Sequence, residues 1–577
     1  MLKVKKIGQN HFLGAFLFFI YFMHSIFYMP RVGNYWDENA HVITGGRFLY
    51  NIKLFISGDR DKILSDMFLS EFYNGFYQGV IQVVTEFLIN FSLVYNLLIS
   101  YKIVFNSTDY FYFLRHFLNF SFIFTLLIIC YFLLKNLTNN FFANIFLVLF
   151  LFFPSILGNS SYNSLDLPFA IIIFLSFLVF FFILEKRNSI LELSFFDQII
   201  VSFFFCLIIS TRFSGIVFIF PLFLYSNFYL VETQQYKKFY RLSFNLLIFT
   251  ILFHILLTPA SWGSLIKYAE GVINAQFFNP WTGSTLTNGE FIFAQDVKFY
   301  YLFVWFFYKT PIILFPLIIS FIFKKKLNEI FEISKFSYFF IIYVFFIHAL
   351  FRPISYSGVR HYLFLIPFIV IISTQGLLLL NKLKYLLLLV IPIYLISTQY
   401  QLDQYKYSYF NEFTNAKEIS FYCKENINGC GNWGTDYYAI SGKEFVNVIN
   451  RNQVDVLYIC EPSHSLTPYL SESTSLSEPY LWEFKNGIPV ANETIGFKQF
   501  NIIYSEGHFE EFLLDKEINQ FYIFSIHYPQ ESQDTCHFNK YINSVKVECD
   551  LVDAVNRKFR GENINFSYLS FCNKSKV

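Results

Sequence analysis

The uncharged run Phe12-Leu13-Gly14-Ala15-Phe16-Leu17-Phe18-Phe19-Ile20-Tyr21-Phe22-Met23-His24-Ser25-Ile26-Phe27-Tyr28 lies four residues before Gly33-Asn34-Tyr35-Trp36-Asp37-Glu38-Asn39-Ala40-His41. A bilayer core takes roughly 17–25 apolar helical residues to cross. The apolar stretch at 11–29 is therefore a membrane span, and it delivers two adjacent acids at its far surface. It is long for a signal peptide and lacks a small-residue cleavage site, so it reads as a permanent anchor.

Similar runs recur up to about residue 400, near 114–134, 141–157, 167–184, 195–211, 213–230, 243–259, 300–323, 335–351, 361–380 and 384–400. With the first they make about eleven spans. The composition agrees: of 577 residues 55% are hydrophobic and only 15% charged, against about 25% charged in an average soluble domain. Intrinsic disorder and an ordinary soluble enzyme are excluded. The net charge of +2 gives no reason to expect a nucleic-acid partner. The 82 Phe residues look like a genome-wide bias and carry no chemistry of their own.

The segment 79–101 is apolar, but Gln78, Gln82 and Glu86 recur at i, i+4 and i+8. That stripe favours an amphipathic helix on the outer bilayer surface over a span. Beyond Gln401 no comparable apolar run exists, and alternating pieces such as Val454-Asp455-Val456-Leu457-Tyr458-Ile459 appear. The chain thus divides into a membrane domain, 1–400, and a soluble α/β or α+β domain, 401–577. The outer loop 30–113 carries the acid pair and amphipathic helices.

Orientation follows from basic residues in short loops. Lys3, Lys5 and Lys6, Lys186-Arg187, Lys237-Lys238 with Arg241, Lys324-Lys325-Lys326, and Lys382 with Lys384 are all cytoplasmic if an even number of spans separates each from the next. The N-terminus is then cytoplasmic and the C-terminal domain extracytoplasmic, in a multi-pass protein of the cell (plasma or inner) membrane. Six of the eight cysteines lie beyond residue 400, which suits disulfides in a non-cytosolic domain. Cys423–Cys430 and Cys536–Cys549 are the local pairs, while Cys130 and Cys206 read as packing residues in spans.

Charge is scarce enough that each charged residue near a span end stands out. Asp37 and Glu38 follow span one, and a helix starting at Asp37 places His41 one turn later on the same face. Asp166 opens span four in Asn163-Ser164-Leu165-Asp166-Leu167-Pro168. Either acid also serves as a plain helix N-cap. Arg212, Lys309 and the pair Arg360-His361 sit at outer span ends; singly, each could reach to lipid phosphate. Together, acids and cations from separate loops suit a site for a lipid-linked phosphate. Asp59-Arg60-Asp61 is a short chance D-x-D, and Gly429-Cys430-Gly431-Asn432-Trp433-Gly434 lacks the preceding strand a dinucleotide loop needs.

Trp36-Asp37-Glu38 resembles the first-loop Asp-Glu motif of the C-type (GT-C) glycosyltransferases, polytopic enzymes that use polyprenyl-phosphate sugars. Within them the chain resembles the bacterial protein O-mannosyltransferase and aminoarabinose-transferase branch. Asn163-Ser164-Leu165-Asp166-Leu167-Pro168-Phe169-Ala170 is similar to a second acidic motif there. Leu114-Arg115-His116, Thr211-Arg212-Phe213-Ser214-Gly215, Lys309-Thr310-Pro311, Gly358-Val359-Arg360-His361-Tyr362, Tyr409-Phe410-Asn411-Glu412 and Thr435-Asp436-Tyr437-Tyr438 also fit, in order, across about 31–450. One departure is Leu165, where that motif usually has Lys. Residues 451–577 match nothing placeable.

The resemblance implies a GT-C-like fold and inverting transfer of a sugar from a polyprenyl-phosphate donor to a lipid, glycan or protein hydroxyl or phosphate. Asp37 would be the general base. Glu38 and Asp166 would orient it, bind the acceptor or stabilise charge on the sugar. Arg360, His361, Arg212 and Lys309 would hold the donor phosphate. No cofactor is required, and a divalent metal at Asp37, Glu38 or His41 is compatible with these residues without being implied. The rival is a transporter or flippase of a lipid-linked or anionic substrate, which calls for mid-membrane polar residues and interrupted helices in both halves. A fold that kept the site and lost catalysis is a second alternative.

Overall fold

The computed structural model describes residues 12–35, 37–63, 75–89, 92–187, 189–230, 235–277, 283–323, 330–424, 426–460, 465–470, 482–485, 488–491, 502–504, 518–527 and 545–576. Trp36, the basic residues Lys3, Lys5, Lys6 and Lys324–Lys326, and Cys536 lie outside the described residues.

The described residues up to about 400 are almost wholly helical. Its first five helices are α1 (Phe12–Tyr28), α2 (Glu38–Ser57), α3 (Gly75–Ile89), α4 (Ser92–Ser100) and α5 (Ser107–Leu137). They are followed by α6 (Asn140–Leu151), α7 (Pro154–Asn159), α8 (Asp166–Arg187), α9 (Phe195–Thr211), α10 (Ile216–Leu230), α11 (Tyr236–Leu257) and α12 (Leu265–Phe277). A hairpin of β1 (Ser284–Thr287) and β2 (Glu290–Phe293) precedes α13 (Tyr301–Lys309), α14 (Leu314–Ile322), α15 (Glu332–Phe351), α16 (Ile366–Leu378) and α17 (Leu383–Gln399).

Seven of these, α1, α5, α8, α11, α15, α16 and α17, taken with the turns that extend some of them, are long and apolar enough to cross a membrane. The protein is a polytopic helical membrane protein. The other predicted spans fall on the shorter apolar helices α6, α9 and α10 and on two nine-residue helices, α13 and α14; the bent pair α3 and α4 is also apolar and long enough to cross if taken as one span. The break between α13 and α14 has a local cause. Pro311 disfavours helical backbone at the residue before it, and Thr310 is accordingly extended at φ −82°, ψ 127°. Helices α8 and α16 are apolar all round and nine-tenths buried. They form the centre on which the other helices pack.

Past α17 the chain turns to mixed structure. A short hairpin joins β3 (Phe421–Cys423) and β4 (Asn426–Cys430), followed by α18 (Gly442–Asn452) and β5 (Val456–Ile459). The remaining strands are the hairpin β6 (Trp482–Lys485) and β7 (Ile488–Ala491), then β8 (Ile502–Tyr504), β9 (Gln520–Ile526), β10 (Val545–Phe559) and β11 (Glu562–Lys576). Five strands form one sheet in the order β10-β11-β9-β5-β8; β5 runs parallel to β8 and β9, and the rest is antiparallel. The alternation read at 454–459 is the parallel centre of this sheet.

One hydrophobic cluster runs from Leu17 in α1 to Leu569 in β11, so helices and sheet share a core. Disulfides close Cys423–Cys430, as the spacing predicts, and Cys549–Cys572. The second corrects the expected Cys536–Cys549 pair. Cys549 and Cys572 face each other across β10 and β11, and that register overrides closeness in sequence. Cys460 is also disulfide-bonded, while Cys130 and Cys206 are buried free thiols.

Candidate active site

Asp37, Asp166, Arg212 and Arg360 meet at one end of the helix bundle, each from a different helix end. Neither acid is spent as a helix cap. Asp37 occupies the N-cap position of α2, but its side chain makes no capping bond; it contacts the Arg360 guanidinium instead. Asp166 is the first residue of α8, and the cap is supplied by Asn163. The Asn163 Oδ1 accepts from the backbone N–H groups of Leu165 (3.1 Å), Asp166 (2.7 Å) and Leu167 (3.3 Å).

The freed Asp166 carboxylate lies 2.7 Å from Arg212 Nη2 and 3.5 Å from Arg360 Nε. The row Asp37, Arg360, Asp166, Arg212 thus alternates in sign. Arg360 lies within cation–π reach of two rings, Tyr356 at 5.2 Å and Tyr438 at 5.5 Å. Asn163 Nδ2 donates to Tyr438 Oη at 2.9 Å, so one side chain both caps α8 and places a wall of the arginine site. The row's two ends keep solvent contact, with side-chain exposures of 14% for Asp37 and 21% for Arg212.

Glu38 goes elsewhere. It is fully buried and accepts from Arg115 Nε at 2.8 Å, with His116 Nε2 at 3.4 Å from its other oxygen. Arg115 is consumed in turn: Nη1 donates to Gln82 Oε1 at 2.7 Å and Nη2 to Gln78 Oε1 at 3.1 Å. The polar stripe read on 79–101 therefore faces the protein, while Val80, Val83, Val84 and Phe87 of α3 face outward. Burial alone would raise the Glu38 carboxyl. His116 and Arg115 outweigh it and pull it down to about 2, so Glu38 is ionised at neutral pH.

A third set of contacts ties the two acidic loops together. Ser164 Oγ pairs with Tyr35 Oη at 2.6 Å and His41 Nδ1 at 2.9 Å, and Gln78 Nε2 donates to the Ser164 carbonyl at 2.7 Å. Burial draws the His41 imidazole down to about 4, against the raising effect of Asp37 and Glu38, so His41 is neutral at pH 7. The first loop is also held from the C-terminal part. Gly33 N–H donates to the Ile440 carbonyl at 3.1 Å, and Asn34 N–H donates to Tyr469 Oη.

Lys309 and His361 stand apart from the acids. Lys309, buried at the end of α13, donates to the Tyr407 carbonyl at 3.1 Å, with the Phe410 ring 3.6 Å from its ammonium. It has no carboxylate partner among the described residues. Gly158 makes this cradle feasible: a Cβ there would sit 2.1 Å from Tyr407 N. The Tyr407 ring packs edge-on to Tyr438 at 5.1 Å, which links the cradle to the wall of the arginine site. His361 stands edge-on to Tyr356 at 4.5 Å. Leu165, where a cation is usual in the similar motif, is buried. Asp59 pairs with Lys62 at an exposed position and joins no site.

Among the described residues no group of three His, Cys, Asp or Glu side chains converges to hold a metal. Sequence reading assigned no role to Arg115, Asn163 or Tyr438. Arg115 carried a usable signal, a charge beside His116 at the start of the apolar run 114–134.

No family model matches the chain, and no curated protein matches it by sequence. Two solved structures of ArnT from Cupriavidus metallidurans resemble it. The apo structure aligns at 12% identity with a TM-score of 0.43, covering 65% of this chain and 62% of that one. The structure bound to undecaprenyl phosphate aligns at 13% identity with a TM-score of 0.44, covering 68% and 64%. This chain thus spans less than two thirds of the length of either.

Proposed function

We propose that the protein is a membrane glycosyltransferase that moves a sugar from a polyprenyl-phosphate donor to an acceptor hydroxyl or phosphate at the extracytoplasmic face, with inversion. The observation that carries this reading is Arg360, shared between Asp37 and Asp166, two acids that helix capping does not explain. The ordered motifs from 31 to 450 point the same way.

A hydroxyl nucleophile needs a base, and Asp37 is the acid of the row with the greater solvent contact. Arg360 pairs with Asp37 and neutralises it. An arriving lipid-linked phosphodiester competes for the same guanidinium, because its two free oxygens accept bidentate Arg bonds as a carboxylate does and gain further negative charge as the sugar departs. Arg360 then trades Asp37 for the phosphate, which frees the carboxylate to take the acceptor proton. The C–O bond to phosphate breaks as the acceptor oxygen bonds the anomeric carbon from the opposite side. The electron pair leaves with the polyprenyl phosphate, whose charge Arg360 and Arg212 hold. Lys309 and His361 are the further groups assigned to the donor phosphate, and Asp166 keeps both arginines in line. Glu38, sealed behind Arg115, fixes the direction of the Asp37 loop.

Membranes carrying the protein should release polyprenyl phosphate from a polyprenyl-phosphate hexose or pentose, and membranes with Asp37→Asn should not. Equal release by the two would refute Asp37 as the base. Flux of intact lipid-linked sugar without release would instead favour the transporter.

A further inference from the structure

The last strands of the chain, which resemble nothing placeable in sequence, reach the Lys309 cradle. Strands β10 and β11 run antiparallel from Phe559↔Glu562 outward and are joined by the two-residue turn Arg560-Gly561. Both turn residues have positive φ, 49° at Arg560 and 89° at Gly561. Such hairpin turns favour Asn, Asp or Gly, since a side chain in the left-handed region is strained. An arginine there calls for a compensating contact.

The contact is present. Arg560 Nη1 donates to the Asn411 carbonyl at 3.0 Å, and Nη2 lies 3.5 Å from the Phe410 carbonyl. Beside it, buried Phe559 packs edge-on against Tyr409. Asn411 in turn closes the end of α13. Its N–H donates to the Tyr308 carbonyl at 2.8 Å, and its Nδ2 donates to the carbonyls of Thr310 (3.0 Å) and Phe307. These acceptors sit at a helix C-terminus, where carbonyls otherwise lack partners. Lys309 is the last residue of that helix, and Tyr407 and Phe410, which hold its ammonium, belong to the same loop as Asn411.

We infer that Arg560, at the tip of the β10–β11 hairpin, is a positioning residue for Lys309: it clamps the 407–411 loop so that the buried ammonium is presented to the donor phosphate. This rests on the donor-phosphate role proposed for Lys309. It makes the C-terminal sheet a working part of the donor site and not a detachable cap.

The test is binding of undecaprenyl phosphate to the purified full-length protein, with thermal unfolding measured alongside. Arg560→Gly is the decisive variant, because glycine suits the turn while removing the guanidinium. It should hold or raise the melting temperature yet weaken binding about tenfold, the worth of roughly one net hydrogen bond. Arg560→Lys, which keeps one donor, should recover part of the loss. Wild-type binding by Arg560→Gly, with Lys309→Ala losing binding, overturns the inference and leaves the role of Lys309 standing. Wild-type binding by Lys309→Ala overturns both. A loss of binding in Arg560→Gly that merely follows a lower melting temperature also counts against positioning.

Discussion

Asp37 and Glu38 are neighbours in sequence and opposites in the fold. Around Glu38 every charge is matched and sealed: Arg115 spends all three of its nitrogens on Glu38, Gln82 and Gln78. Around Asp37 the charges are matched but open, with an arginine shared between two acids and contact with solvent at both ends. A network closed off from solvent has no open route for exchanging its partners with a ligand, and we propose that its role is architectural. An open row whose partners can be exchanged can do chemistry. Two identical-looking acids are thus told apart by where their counter-ions come from.

The largest expected effect lies on the open side. Asp37→Asn should lower transfer by about 10²–10⁴-fold, the usual worth of a positioned base, and leave the melting temperature nearly unchanged. A comparable loss of stability would erase the distinction between the two regions. The sealed side should behave the other way. Arg115→Met leaves Glu38 buried without its cation and should cost roughly 3–5 kcal/mol, read as a lower midpoint of unfolding in detergent. An unfolding midpoint equal to wild type would contradict the architectural role.

A smaller effect sharpens the same contrast through pH. The folded-state pKa of Glu38 is depressed to about 2, so its ion pairs contribute stability that is present above the ordinary carboxyl range and lost as pH falls towards 2. Glu38→Gln should therefore be less stable than wild type at pH 7, and the gap should close on acidification through pH 4 to 2. A gap that is constant across that range would mean the network is not held by the Glu38 charge.

Much of the fold was legible because span length and charge scarcity are strong signals. All eleven predicted spans fall on helices or helix pairs, but the single span expected at 300–323 is broken at Thr310-Pro311, which the run of apolar residues hid. The open row was legible because its members sit at span ends, where a charge is conspicuous. The partners of Glu38 were not, since Arg115 lies 77 residues away and the glutamines that complete the network sit on a helix read as lying on the outer bilayer surface. The Cys549–Cys572 bond depended on a strand register that spacing alone does not set. The cradle of Lys309 joins α13, the 407–411 loop and the β10–β11 tip, a meeting that only the packed core produces.

The central claim is that Arg360 exchanges Asp37 for a lipid phosphate. The most direct measurement is the affinity of the purified protein for undecaprenyl phosphate in wild type, Arg360→Ala and Asp37→Asn. The account predicts that Arg360→Ala weakens binding at least tenfold, while Asp37→Asn, which removes the competing carboxylate charge, binds as tightly as wild type or tighter. Undiminished binding by Arg360→Ala would contradict it.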